Sequence, residues 1–150
     1  MGMPWKYGVA NTPGTVANGT PNVALRTGAS EYTEIIEAFW GGEVTTSTAM
    51  RTGIFRANEG TGGSALVPTR FAENQTASPR TEAVGPAFST DPAPENSAVF
   101  QTSWNAHGGV IRWLSAPGEE IIMLGVSTVI IENQVGGNTA STYGFVFGEF

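Results

Sequence analysis

Residues 108–150 read GGVIRWLSAPGEEIIMLGVSTVIIENQVGGNTASTYGFVFGEF, and this stretch decides the fold. Three apolar runs are cut by turn signals. Val110–Leu114 is closed by Ala116-Pro117-Gly118. Ile121–Ile131 is broken once at Gly125 and closed by Gly136-Gly137-Asn138. Thr142–Phe150 ends the chain. Short runs of Val, Ile, Trp, Tyr and Phe bounded by Gly, Pro and Asn are the signature of strands and hairpins. The rest of the chain must then supply the strands that pack against this sheet.

Working back towards the N-terminus, Ala98–Trp104 is a strand with Val99 and Phe100 expected near the core. Residues 73–96 (ENQTASPRTEAVGPAFSTDPAPEN) read as a long Pro-rich loop. Proline supplies no ladder N–H, so the prolines there argue against a central strand. A connection of that length is usually a functional or contact element. Leu66–Phe71 is a short apolar piece and Glu59–Gly63 a Gly-rich turn. Thr45–Ala57 is a strand with Met50, Ile54 and Phe55 as its buried content, and Gly53 suggests a bulge. Glu31–Trp40 (EYTEIIEAFW) has glutamates at helical spacing, but its apolar residues also alternate and Gly41-Gly42 stops it. Among neighbours that all read β, it is assigned as a strand. Asn22–Arg26 is another short strand. Residues 1–21 hold the turn signals Asn11-Thr12-Pro13-Gly14 and Asn18-Gly19-Thr20-Pro21, with Trp5, Tyr7 and Val9 alternating. The segment reads as a loose terminus or as an arm whose aromatics dock on a neighbour.

The expectation is therefore an all-β chain: an N-terminal arm over residues 1–21 and an antiparallel β-sandwich of jelly-roll type over 22–150. The pattern gives eight to ten short strands, with the Pro-rich loop at 73–96. The expected contact residues are Trp5 and Tyr7 on the arm and Pro79, Arg80, Pro86 and Phe88 on the loop. On this reading the arm can be removed without loss of the fold.

At 150 residues the chain has the size of one domain with a real core. Only 13% of residues are charged, about half the usual share, so Thr, Ser, Asn and Gly must carry the polar surface. Uncharged surface is less costly to desolvate, which suits burial against neighbours. Net charge is −6 and Lys6 is the lone lysine, which disfavours nucleic acid and anionic membranes as partners. No run reaches the roughly 18 apolar residues of a membrane span. The N-terminal stretch lacks the charge and apolar pattern of a signal peptide. The absence of cysteine excludes disulfides and thiolate metal sites within the chain.

Residues able to do chemistry are few. His107 and Asp91 are the sole histidine and aspartate, and no nucleophile motif surrounds Ser103 or Ser115. Glu119 and Glu120 are adjacent, so on a strand they point to opposite faces; a glycosidase pair would need Glu37 or Glu132 from elsewhere. Asp91, Glu95 and Asn96 could offer oxygen ligands to calcium, but two prolines stiffen that segment. The expectation is no enzyme activity, no cofactor and no metal. Asn18-Gly19-Thr20 and Asn74-Gln75-Thr76 match the glycosylation pattern by chance. Trp40, Trp104 and Trp113 could form a sugar-stacking platform, but tryptophans inside β-runs belong more often to a core or an interface. Arg112 and Trp113 are neighbours, so one of them must face away from the core.

The order of pieces resembles the small jelly-roll capsid cement, or decoration, proteins encoded with the head genes of tailed bacteriophages. The likeness covers about residues 15–150. It rests on a short strand ending VALRTGAS, a strand EIIEAFWGGEV, a Thr-rich strand, a long Pro-containing loop, SWNAHGGVIRWLSAPGEEIIM, and a last strand with Phe-Val-Phe. It implies a non-enzymatic virion protein on the outer capsid surface, with the major capsid protein and copies of itself as partners. A homotrimer at local three-fold positions is the natural arrangement on such a shell. The resemblance carries over no catalytic residue. A carbohydrate- or host-binding module of a phage head or tail fibre is the alternative.

Overall fold

The computed structural model describes residues 5–14, 16–72, 78–136 and 140–150. Residues 1–4 and 15 of the expected arm, 73–77 of the expected loop with the Asn74-Gln75-Thr76 pattern, and 137–139 after Gly136 lie outside the described residues. The described residues form strands β1 (Trp5–Asn11), β2 (Pro21–Thr27), β3 (Tyr32–Gly42), β4 (Ala49–Ala57), β5 (Thr61–Leu66) and β6 (Thr69–Arg70). The second half adds β7 (Glu82–Thr90), β8 (Phe100–Asn105), β9 (Val110–Leu114), β10 (Ile121–Leu124), β11 (Ser127–Val135) and β12 (Ser141–Glu149).

Two antiparallel sheets result. Sheet A runs β10-β3-β12-β1-β6, with β9 also paired to β3; sheet B runs β5-β7-β2-β11-β4-β8. The pairing is nested. β1 pairs with β12, β2 with β11, and β3 with β9 and β10. The early strands thus lie beside the late ones, as in a long antiparallel ribbon rolled into a sandwich, which is the jelly-roll plan. Between the sheets lies an aromatic and aliphatic core that includes Tyr7, Leu25, Ile35, Trp40, Ile54, Met123, Val129, Ile131, Tyr143, Phe145 and Phe147.

The C-terminal stretch folds as its punctuation dictates. Val110–Leu114 is β9; the run broken at Gly125 becomes β10 and β11, and Gly125 and Gly136 take positive φ at the breaks. The ambiguous Glu31–Trp40 is strand β3, and its mixed periodicity has a physical source. Val146 pairs with Glu37 but Phe147 pairs with Ile35, so Ile36 is an extra residue in β3. The bulge lets Ile35 and Ala38, three residues apart, both point inward. Twelve described strands exceed the eight to ten expected, because β6 is only two residues long and because two segments read as non-sandwich are strands.

The first is the arm. β1 pairs with β12 from Trp5↔Glu149 to Asn11↔Tyr143, and Tyr7 and Val9 are buried in the core. The alternation of Trp5, Tyr7 and Val9 marks an integral strand, so the boundary at residue 21 does not separate an arm from the sandwich. The second is the loop. β7 lies between β5 and β2 in sheet B. Pro86 fits because it falls beyond the last β2 pair, Ala24↔Val84, where the β5 ladder shifts register and Ala87 takes a φ of 87°.

Two smaller expectations change as well. Gly53 is in register with both neighbours, and the nearby shift lies on β11 between Asn133 and Val135. A Cβ at 53 would come within 2.9 Å of the Phe55 ring and 3.1 Å of Phe100 O, so a larger residue there would require these to shift. Val99 is exposed, whereas Phe100 packs towards Trp40 with ring centroids 6.1 Å apart.

A buried polar chain joins the sheets. Trp104 Nε1 donates to Thr52 Oγ1 at 2.8 Å, Thr52 donates to Asn133 Oδ1 at 2.6 Å, and Asn133 Nδ2 donates to the Tyr143 hydroxyl at 2.8 Å. These links satisfy polar atoms that would otherwise be stranded in the core.

Candidate functional site

The two outer faces of the sandwich differ. Sheet B carries a second apolar cluster of Ala24, Phe55, Ala57, Val84 and Ile130, with Phe88 and Ala98 packed against it. Between β7 and β8 the chain runs along the edge of β4, continuing the pairing that β8 makes. Asn58 N–H donates to Ala93 O at 3.0 Å, Glu95 N–H to Arg56 O at 3.0 Å, and Val99 N–H to Ile54 O at 2.8 Å. Phe88 also lies 5.5 Å from the Arg26 guanidinium.

On sheet A the residue after β6 likewise continues its strand's pairing, Phe71 N–H donating to Lys6 O at 3.1 Å. In β9 the pattern turns Ile111 and Trp113 towards the core and leaves Val110, Arg112 and Leu114 outside, with Arg112 the residue facing away. In β10 Ile121 and Met123 are buried while Ile122 and Leu124 are exposed. Leu124 is 70% and Val110 75% exposed, which is high for apolar residues in paired strands. Phe39 lies over Gly144, where a Cβ would meet its ring at 2.2 Å, and Phe71 lies over Gly8. The glycines leave room for these rings. On this face Arg112 binds Glu37 bidentately, with Nη2 at 3.0 Å from Oε2, and the Tyr32 hydroxyl donates to the Glu34 carboxylate at 2.8 Å.

The expected contact residues divide into three places. Trp5, Tyr7 and Arg80 line one hollow of about 300 Å³ together with Ser78, Glu149 and Phe150. Pro79 is half-buried beside it in the chain, whereas Pro86 and Phe88 are half-buried on β7 of sheet B. Tyr7 is wholly buried and stacks on Phe147 at 5.5 Å, so it is a core residue that forms a wall of the hollow, not a free anchor. Phe150 was not anticipated by sequence reasoning. Its position at the end of an apolar strand resembles any core phenylalanine, and only the pairing of β12 with β1 brings it to Trp5.

The hollow is framed by hydrogen bonds. The Glu149 carboxylate accepts the backbone N–H of Arg80 at 3.1 Å and of Thr81 at 2.8 Å. Arg80 Nε lies 3.8 Å from that carboxylate, and Nη2 donates to Phe150 O at 2.8 Å.

Of the other candidates for chemistry, Asp91 and Glu132 lie close enough to interact and the rest are engaged separately. Asp91 accepts a hydrogen bond from the Thr20 hydroxyl at 3.1 Å, and His107 sits exposed in the β8–β9 turn, where its backbone N–H donates to Asn105 Oδ1 at 2.9 Å. Glu120 accepts from Gly118 N–H at 3.2 Å, Glu37 is held by Arg112, and Glu132 is buried beside Gln134. Burial pushes the Glu132 carboxyl above its usual range and the Asp91 charge adds to the rise, against the opposing Gln134 hydrogen bond. Among the described residues no group of three or more His, Asp or Glu side chains is placed to hold a metal. Trp40 and Trp104 are buried and Trp113 packs against the core, so these three form no exposed platform.

The fold is an all-β antiparallel sandwich whose sheet B buries an outer apolar cluster and whose sheet A leaves Val110, Leu114, Ile122 and Leu124 exposed. No family model, curated protein or solved structure matches the chain.

Proposed function

We propose that this chain is a non-enzymatic virion structural protein that binds the outer surface of a bacteriophage head and cements it. The observation that carries the reading is the difference between the two faces. On sheet B the outer apolar cluster is buried with Phe88 and Ala98 packed against it, while sheet A presents Val110, Leu114, Ile122 and Leu124 beside a compensated Arg112–Glu37 pair. Exposed apolar side chains with neutralised charge are what a face buried in an assembly requires. The partners on this reading are the major capsid protein and copies of the chain itself, arranged as a closed homotrimer. The resemblance of the order of sequence pieces to that of the cement proteins supports the same reading, and the sandwich plan is compatible with it. The test is to add the purified protein to heads assembled without it and to measure the temperature at which they release DNA. The reading expects that temperature to rise and then to saturate at a fixed ratio of the protein to capsid subunits; no change would refute it.

A further inference from the structure

The hollow between Trp5 and Phe150 has features that a capsid contact on sheet A does not use. Trp5 is 45% and Phe150 43% exposed, yet neither is loosely attached. The Trp5 backbone is paired opposite Glu149. The Phe150 N–H donates to Tyr32 O at 3.2 Å, its backbone oxygen accepts from Arg80 at 2.8 Å, and its ring meets Tyr32 edge-on at 5.4 Å. Two aromatic rings are thus held open to solvent by a hydrogen-bonded frame. A preformed concavity of that kind, with apolar walls and a few polar groups, is the usual form of a small-ligand site.

Its chemistry narrows the ligand. Both signs of charge stand at its base, Arg80 lying 3.8 Å from Glu149, and both Glu149 oxygens are engaged by backbone N–H groups. An anion would lie beside a buried carboxylate and a cation beside a guanidinium, so the matching ligand is neutral. Donor capacity remains. Arg80 gives one N–H to Phe150 and has others to offer, and the Ser78 hydroxyl makes no hydrogen bond among the described residues. A volume of about 300 Å³ is at the lower end of small-molecule sites. We propose that the hollow is a saccharide site, in which one pyranose ring stacks on Trp5 and Phe150 while its hydroxyls bond to Arg80 and Ser78. An apolar side chain of a protein partner would cover the rings but leave those polar groups without acceptors.

This proposal is independent of the capsid reading. The experiment is to titrate the full chain with glucose, galactose, N-acetylglucosamine and their linear trisaccharides, following tryptophan emission and binding heat. At least one of these sugars should shift the emission of the exposed Trp5 saturably and bind measurably by calorimetry. Trp5→Ala should abolish the shift and weaken binding tenfold or more, while Trp5→Phe, which keeps a stacking ring, should stay within a few-fold of wild type by calorimetry. Should Trp5→Ala fail to fold, the ratio between Trp5→Phe and Trp5→Leu gives the same comparison. Absence of saturable binding by every sugar at millimolar concentration would overturn the proposal, as would equal affinity with and without an aromatic ring at position 5. Leu114→Glu, which removes an apolar contact from sheet A, should leave sugar binding unchanged whatever it does to capsid attachment.

Discussion

Tyr7 stacks on Phe147 with ring centroids 5.5 Å apart and planes inclined by 23°, joining the first described strand to the last. Both side chains are wholly buried. The contact makes the N-terminal segment a structural part of the sandwich. Deleting residues 1–12 should therefore abolish the cooperative unfolding transition. Tyr7→Ala, which leaves a large cavity, should cost about 3 kcal/mol or more. Urea denaturation followed by circular dichroism checks both, and a truncated chain with native stability would contradict this placement of β1.

Asn133 is the centre of the polar chain between Thr52 and Tyr143. Asn133→Ala strands a buried hydroxyl on each side, and each stranded polar group costs roughly 1–3 kcal/mol. Trp104→Phe removes only the outermost donor and should cost less than Asn133→Ala. Equilibrium unfolding of the two variants decides the order. A smaller loss for Asn133→Ala than for Trp104→Phe would show that the chain is not cooperative.

Glu132 gives a pH dependence with a definite sign. Its folded-state carboxyl is raised, first by burial and then by Asp91. The proton is held more tightly in the folded chain. Its contribution is therefore full below the unfolded carboxyl value of about 4.3 and is lost as pH rises through the folded value. Glu132→Gln should melt higher than wild type at neutral pH, with the gap closing towards pH about 4. Parallel melting curves across that range would contradict the assignment.

The strand pattern was legible wherever Gly, Pro or Asn punctuated an apolar run, as at Gly125 and after Leu114. It failed in two physically distinct ways. In β7, Pro86 looked incompatible with a strand, but it sits where the ladder shifts and no N–H is required. In β1, the alternation of Trp5, Tyr7 and Val9 was visible, but it competed with turn signals on its C-terminal side. What decides the matter is the partner β12, more than 130 residues away in the sequence. Local signals report propensity, whereas long-range pairing decides whether a short strand is realised. The hollow was half legible for the same reason. Trp5 and Arg80 stood out by residue type, while Glu149 and Phe150 join them only through the β1–β12 pair.

The open face of sheet A should drive self-association. Leu114→Glu combined with Leu124→Glu places two charges on exposed positions of β9 and β10 without touching the core. The melting temperature should move little, because surface substitutions are usually worth within about 0.5 kcal/mol. Sedimentation equilibrium should show an oligomer for wild type and a monomer for the double variant. A monomeric wild type at micromolar concentration would remove the trimer from the account.

The most direct test of the proposed function is co-sedimentation of the purified chain with heads assembled in its absence. The account predicts that wild type pellets with the heads at a fixed stoichiometry and that the Leu114→Glu, Leu124→Glu double variant stays in the supernatant. Failure of wild type to pellet, or attachment of the double variant equal to wild type, would contradict it.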